Sequence, residues 1–494
     1  MEAAELASVT IVAVLVFYLV VLLALGWWAG RESGSVAGYY VAGKQLPSWV
    51  IAFSSNSTGE SAWLLLGLTG MGYTIGIHAL WIVLGEVLGV ALVWTLVAQP
   101  FKTWTDRYDS ITVPDYLEAR FRDSSHVIRW LSLLIIMSMV TAYTAAQLTA
   151  AGKAFASFLD ISYVAGALLG AAVVLYYTTV GGFKAVAYSD LLQGILMLGG
   201  LFLLPFVAMS AAGGWTATMA QLNATDPALL RPMGSYGMSV EGFVSVIGFI
   251  GIGLAFLGAP QLLSRFIAAR SRRDILEGGL IAVPCIILFD VGAVFGGMAG
   301  RVIFPVLDDP ETILPVITSE LMPAVFTGVY LVIVLAAIMS TADSLLIMAS
   351  ATVVRDIVQR IYRPNEPERR LALYGKATTV VVGIVALLFA LGEVRVIFWF
   401  VLFAWSGLAC AFTPVVLCSL YWKRTTRAGA IAGMIGGFLT AIVWVLAFKP
   451  YTYDLYELIP GFIVGFGLTI GVSLLTEPPE GAAEEFDEVW QEIE

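Results

Sequence analysis

The chain has 494 residues, 59% of them hydrophobic and only 13% charged, with a mean hydropathy of +0.88. Soluble domains carry about 25% charged residues, so a water-soluble enzyme or nucleic-acid-binding protein is excluded and an all-α polytopic membrane protein is expected. The net charge of −10 is concentrated in the tail 477–494, "EPPEGAAEEFDEVWQEIE", which has eight acidic residues and no basic one and reads as a solvated, mobile cytoplasmic extension.

In chain order, apolar runs of spanning length fall at about 8–30, 47–72, 77–99, 128–157, 160–180, 186–211, 240–266, 276–304, 322–353, 371–391, 396–421, 428–448 and 457–476. These predict thirteen transmembrane helices within a single transmembrane domain, 1–476. The first run is long enough to span and follows an acidic start, so it reads as a membrane helix and not as a cleaved signal. With the N-terminus outside and the C-terminus inside, 21 Lys and Arg residues fall on the cytoplasmic side and five outside, which fixes the expected orientation. The five are Lys153, Arg231, Arg301, Arg395 and Lys449; Arg31 and Arg265 are among the 21.

The connecting segments are too short for a soluble catalytic core. No Walker A, HExxH or GxSxG motif occurs, and His78 and His126 are the only histidines. No enzymatic activity is therefore expected. Cys285, Cys410 and Cys418 lie in apolar runs without CxxC spacing and read as small buried hydrophobes.

Two spans are interrupted. In "SSNSTGESAWLLLGLTG" (54–70), eight polar or tiny residues follow one another; in "GFIGIGLAFLGAPQLLSRF" (248–266), glycines and Pro260 punctuate an apolar run. Paired interruptions in corresponding positions of two halves point to a binding site lined by freed backbone. Five-helix repeats over 47–211 and 240–422 put both breaks at the start of a repeat. Their third helices then carry the matching hydroxyl-bearing stretches "TAYTAAQLTAAGK" (141–153) and "LAAIMSTADSLLIMAS" (335–350). Ser340, Thr341, Asp343 and Ser344 offer hard oxygen ligands suited to a monovalent cation, with Ser340 and Ser344 on one helical face. Back-bonding of the hydroxyls to their own helix and small-residue packing are the non-functional readings.

The intramembrane acids are Glu60, Glu86, Asp190, Asp290 and Asp343, each a functional-site hypothesis by its cost alone. Asp190 reads equally as a helix-start cap. Glu86 and Asp290 have no partner in the sequence and read as interhelical hydrogen-bonding groups.

The blocks "SAWLLLGLTG", "ITVPDYLEARF", "VGGFKAVAYSD", "GAPQLLSRFIAA", "AAIMSTADSLL", "FAWSGLACAFTPVVLCSLYWKRTTRAGAIAGMIGG" and "YELIPGFIVG" give nearly the whole chain a resemblance to the sodium/solute symporter family, closest to its sodium/proline branch. The resemblance implies a leucine-transporter-like fold of two inverted five-helix repeats with flanking helices. It also implies sodium-driven symport, by alternating access, of a small solute such as proline or a related amino acid, in the cell membrane and as a monomer, with the lipid bilayer as the surroundings and no nucleic-acid partner. By the same resemblance, sodium is held by backbone oxygens of Ser57, Glu60 and Ala337 and the side chains of Ser340 and Thr341. Asp190, Asp343 and Ser344 match a second cation position. Trp63, Tyr143, Gln147, Ile252, Phe256 and Pro260 match the substrate site, Gln147 either contacting the solute or packing between helices. Two departures stand out: Gly59 replaces an aspartate, with Glu60 one position later, and Ile252 and Phe256 replace a tryptophan and a tyrosine. Proton coupling through Glu60 or Asp343, a different small carboxylate as solute, and a sensor without transport are the alternatives the residues leave open.

Overall fold

The computed structural model describes residues 2–30, 35–392 and 397–493. Arg31 and Arg395, used above to orient the chain, lie outside the described residues. Among these residues the protein is helical throughout; its only β feature is one isolated bridge, Leu46 with Ala269, which ties the entry to the first interrupted span to the exit from the second.

Among the described residues, eleven helical runs are long and apolar enough to cross a membrane. Two of them, Ser48–Arg107 with 60 residues and Tyr163–Ala211 with 49, greatly exceed the roughly 20 residues that one crossing needs. Each turns at a glycine in the left-handed region: Gly76 at φ 59° and Gly182 at φ 64°. Neither glycine could carry a Cβ, because Gly76 abuts the Leu229 carbonyl and Gly182 abuts Tyr39. The long run at 322–353 is Ala324–Ala351, continued as a wider-wound helix over Thr352–Tyr362. Its apolar window is wholly buried, so this helix lies at the centre of the bundle. It packs on Ser48–Ala62, Val127–Leu159 and Tyr163–Ala211.

Basic residues assigned to one side are found together. At one end of the bundle, Asp115 meets Arg129 at 2.7 Å, Arg355 at 3.1 Å and Arg360 at 3.3 Å, while Arg129 also meets Asp356 at 2.8 Å. At the other end, Lys153 pairs with Asp309 and Glu311, and Glu311 accepts the backbone N–H groups of Ile397 and Phe398. Arg265 departs from this pattern. It was counted with the cytoplasmic residues but is fully buried in the core.

The acidic tail also departs from expectation. Ala482–Ile493 forms an amphipathic helix on the same end as Asp115, with Ala482 and Val489 buried and Phe486 against the Arg120 guanidinium. Arg107 reaches Glu485, Glu488 and Glu492; Lys423 reaches Asp487; and the Trp490 indole N–H donates to the Leu420 carbonyl. An acidic composition alone reads as solvated, but spacing Ala482, Phe486 and Val489 along one face supplies an apolar stripe that docks.

Two outcomes follow from these contacts. Replacing Phe486 with Ala and Val489 with Asp should make the tail sensitive to limited proteolysis while leaving the membrane core intact; equal protection in variant and parent would refute the docked helix. Burial pushes the Asp115 carboxyl up, but the Arg355, Arg129 and Arg360 guanidiniums outweigh it and hold it below the usual carboxylate range. Its stabilisation is therefore complete above the unfolded value of about 3.9 and is lost as pH falls through the lower folded value. Below about pH 4 the parent should lose thermal stability more steeply than Asp115→Asn; parallel loss would exclude this network as the cause.

Candidate functional site: two broken helices around buried oxygens

The first interrupted span is helical over Ser48–Ala62, but Ser61 sits at φ 55°, ψ −167°, and the chain resumes as a wide helix over Trp63–Leu68. The second runs Val240–Gly251, tightens over Ile252–Leu257, then opens at Gly258 and Ala259 before a new helix that Pro260 begins. Pro260 lacks an N–H, so it suits the first position of a helix and cannot continue one. The breaks free backbone groups that must find partners inside the protein.

Those partners come from Ala324–Ala351. Ser340 Oγ lies 2.9 Å from the Ser57 carbonyl and 3.0 Å from the Ala337 carbonyl, and Thr341 Oγ1 lies 3.0 Å from the Thr58 carbonyl. Three of the five oxygens expected to hold sodium, on Ser57, Ala337 and Ser340, thus meet directly, and the fourth, the Thr341 hydroxyl, lies on the neighbouring Thr58 carbonyl. The fifth, the Glu60 carbonyl, accepts the Trp63 N–H, and Thr58 offers its carbonyl to Thr341 instead. All these residues are buried. Neutral carbonyl and hydroxyl oxygens in this arrangement form a donor set that suits a hard monovalent cation.

Beside this cluster lies a buried charge pair. Asp190 Oδ2 accepts from Ser54 Oγ at 2.6 Å and from Arg265 Nη2 at 3.1 Å. Arg265 also donates to Thr58 Oγ1 at 2.7 Å, to the Gln261 carbonyl at 2.6 Å and, at closer range, to Ser344 Oγ. Asp190 lies well past the kink at Gly182, in mid-helix, so it caps no helix start. The structure brings Asp190 and Ser344 to one place, and the positive charge there is the Arg265 guanidinium. Asp343 faces Ser344 at 3.2 Å, with its other oxygen unpartnered. Ser344 Oγ also back-bonds to the Ser340 carbonyl at 2.7 Å.

The expected substrate residues surround the breaks. The Ala62 N–H donates to Gln147 Oε1 at 3.2 Å, and the Gln147 amide nitrogen has no partner. Gln147 therefore does more than pack: it takes up a donor freed by the break. Trp63 stacks on Phe398 at 5.4 Å. Phe256 and Tyr143 both meet Trp405 edge-on, at 5.2 and 6.4 Å, and the Trp405 indole N–H reaches the Ile252 carbonyl at 3.4 Å. Ile252 lines a cavity of about 520 Å³ that also takes in Trp399, Leu402, Lys449 and Tyr456. Pro260 and Ser344 line a cleft of only about 30 Å³ toward the other end. At Gly59 a Cβ would stand 3.0 Å from the Phe256 ring, so the phenylalanine takes the space that a side chain at position 59 would need.

The Glu60 side chain points the other way. It is buried and converges with Glu86 from Leu80–Leu92 and Asp290 from Arg272–Ile303, with one carboxylate oxygen from each within 4.8 Å of the others. Trp405, Arg265, Phe398 and this grouping of acids were not assigned from the sequence. Trp405 and Arg265 sit in blocks that carry the resemblance, whereas nothing local links residues 60, 86 and 290.

A model of the sodium:solute symporter family matches residues 39–437. The chain belongs to this family. The symporter is 35% identical over 466 residues to the high-affinity proline transporter PutP of Bacillus subtilis, covering 93% of this chain and 97% of that one. It is 33% identical to the osmoregulated proline transporter OpuE of Bacillus subtilis, covering 96% and 97%, and 33% identical to sodium/proline symporters of Staphylococcus aureus, covering 95% and 93%. Its fold is that of a Na+-coupled sialic acid symporter solved in a substrate-bound, outward-open state, with a TM-score of 0.79 at 21% identity over 95% of this chain and 98% of that one. MhsT in complex with L-phenylalanine shares the fold at a TM-score of 0.55 and 13% identity, over 86% and 98%. The symporter is a multi-pass protein of the cell membrane with a leucine-transporter-like fold.

Removing one partner of a buried ion pair costs about 3–5 kcal/mol, because the other charge is left uncompensated. Asp190→Asn should therefore lower the thermal midpoint of the detergent-purified symporter markedly, and adding Arg265→Gln should restore much of it. Additive losses in the double variant would show that the two charges do not act as a pair.

Proposed function

We infer that the symporter couples inward sodium movement to uptake of a small organic solute, with proline or a related amino acid as the solute. The observation that carries this reading is the oxygen cluster of Ser57, Ala337, Ser340 and Thr341, which spans a broken helix and the central helix of the bundle. A sodium ion there would replace the hydroxyl-to-carbonyl hydrogen bonds with ion–oxygen contacts and so fix the broken helix against Ala324–Ala351. The same break frees the Ala62 N–H, which the Gln147 amide oxygen takes up, and Tyr143 and Phe256 gather on Trp405; in this reading the solute binds among these groups and Trp63. Polar groups at one side of an apolar pocket suit an amino acid with a compact apolar side chain. The proline transporters among the relatives support that class.

In this reading Ser57, Ser340 and Thr341 bind sodium with Ala337, and Thr58 or Glu60 supplies a further carbonyl. The Arg265 guanidinium holds the place beside Asp190, Asp343 and Ser344 that a second sodium would take. The glycine turns at Gly76 and Gly182 divide the two longest runs, which supports thirteen crossings; the reading takes the N-terminus as outside, the repeats as 47–211 and 240–422, and a monomer as the working unit. The cavity by Ile252 and Lys449 then faces outward and the narrow cleft by Pro260 faces inward, an arrangement poised to load from outside. Inward movement of one positive charge gains about 2.3 kcal/mol per 100 mV of membrane potential. Binding is reciprocal, so the solute tightens sodium by the factor with which sodium tightens the solute.

Reconstituted into proteoliposomes, the symporter should accumulate labelled proline or a related amino acid only under an inward sodium gradient. Ser340→Ala and Thr341→Ala should raise the sodium concentration for half-maximal uptake by about tenfold, a loss of about 1.4 kcal/mol in binding, and the solute concentration by much less. Unchanged sodium dependence in both variants would exclude this cluster as the site.

A further inference from the structure

Glu60, Glu86 and Asp290 come from three different helices and meet inside the bundle, all three buried. Among the described residues no N–H or hydroxyl donates to either oxygen of Glu60, to either of Asp290 or to Oε2 of Glu86, and the carboxyl neighbours of Glu60 are Glu86 and Asp290 themselves. No arginine, lysine or histidine forms an ion pair with any of them there. Asp190, by contrast, has Arg265, Ser54 and Thr58. Unpartnered acids are costly at membrane depth, and three that point at one another cost more than three apart. What the geometry lacks is a positive ligand. Among the described residues this grouping holds carboxylate oxygens and no thiol or imidazole, so the ligand belongs to the hard, oxygen-seeking cations.

We propose that Glu60, Glu86 and Asp290 form a second binding site, for a hard metal cation, separate from the Ser57–Ser340–Thr341 cluster. The site is wired to both broken helices. Glu60 directly precedes the break at Ser61. Glu86 lies between Gly85 and Gly89, where its helix runs so close to the second broken segment that a Cβ on Gly253 would strike the Gly85 carbonyl. Asp290 belongs to Arg272–Ile303, which packs on Ser48–Ala62. An ion here draws the three helices together on the face of the first broken helix opposite Phe256 and Gly59. It thereby acts on the pocket without touching the solute.

The test is cation binding to the full-length, detergent-purified protein, followed with radioactive sodium and, separately, radioactive calcium, together with the thermal midpoint at each ion concentration. Parent, Asp290→Asn, Glu86→Gln and Thr341→Ala are compared. Loss of a charged oxygen ligand is expected to weaken one class of bound cation by about tenfold or more in Asp290→Asn and Glu86→Gln. Thr341→Ala should leave that class intact. The ion whose binding changes identifies the occupant as monovalent or divalent. The parent midpoint should rise with that ion, and the two acid variants should lose this rise. Failure of Thr341→Ala to alter sodium binding would count against the transport site alone. The present proposal is overturned if both acid variants bind both ions as the parent does. It is equally overturned if their midpoints drop while the response to cations is unchanged, since the acids would then serve only as hydrogen-bonding groups between helices. If Asp290→Asn is not recovered as a single folded species, Glu86→Gln gives the same reading.

Discussion

Backbone satisfaction in the membrane governs this molecule. A helix hides its own N–H and C=O groups from lipid, so breaking one in mid-bundle is tolerable only where other protein groups take over. Here the substitutes are specific. The hydroxyls of Ser340 and Thr341 take the carbonyls of Ser57 and Thr58, and the Gln147 side chain takes the Ala62 N–H. The same groups that make the break affordable are those a cation or a solute can displace. Site and scaffold are one set of atoms, which is why the central helix is buried on every side over 330–347.

Buried charge is handled in two opposite ways within a short distance. Around Asp190 the structure supplies a guanidinium and several hydroxyls, and the pair is closed. Around Glu60 it supplies two more acids and nothing positive. Arg265 is long enough to bridge from the second broken segment across to the first, joining Gln261 to Ser54, Thr58 and Ser344. Movement of either broken helix must therefore rearrange this pair, while the acid group lies on the other flank of the same helix. The two flanks give the first broken helix two electrostatic handles of opposite kind.

Substitution at positions 59 and 256 illustrates how local changes compensate. Gly59 has no side chain because Phe256 occupies its space, and Phe256 is itself held edge-on by Trp405. The carboxylate one residue later is turned by about 100° to a different face, where it meets Glu86 and Asp290 and not Phe256. Glu60 thus cannot stand in for a side chain at position 59.

Much of the architecture was legible in the sequence. Apolar runs of spanning length mark the membrane helices because lipid excludes charge, and the glycine-, proline- and hydroxyl-rich interruptions mark the breaks because only they weaken a helix there. Ser340 and Thr341 were readable as hard oxygen donors in mid-span, whereas Ser57 and Ala337 entered only through the family resemblance, because a backbone carbonyl leaves no mark on the residue type. Tertiary packing decided the rest. Arg265 looks like one more cytoplasmic cation until the fold buries it against Asp190. The tail looks like free acid until basic loop residues and an apolar stripe dock it. Glu60, Glu86 and Asp290 are distant in sequence and carry no shared periodicity, so only the crossing of three helices could bring their carboxylates together.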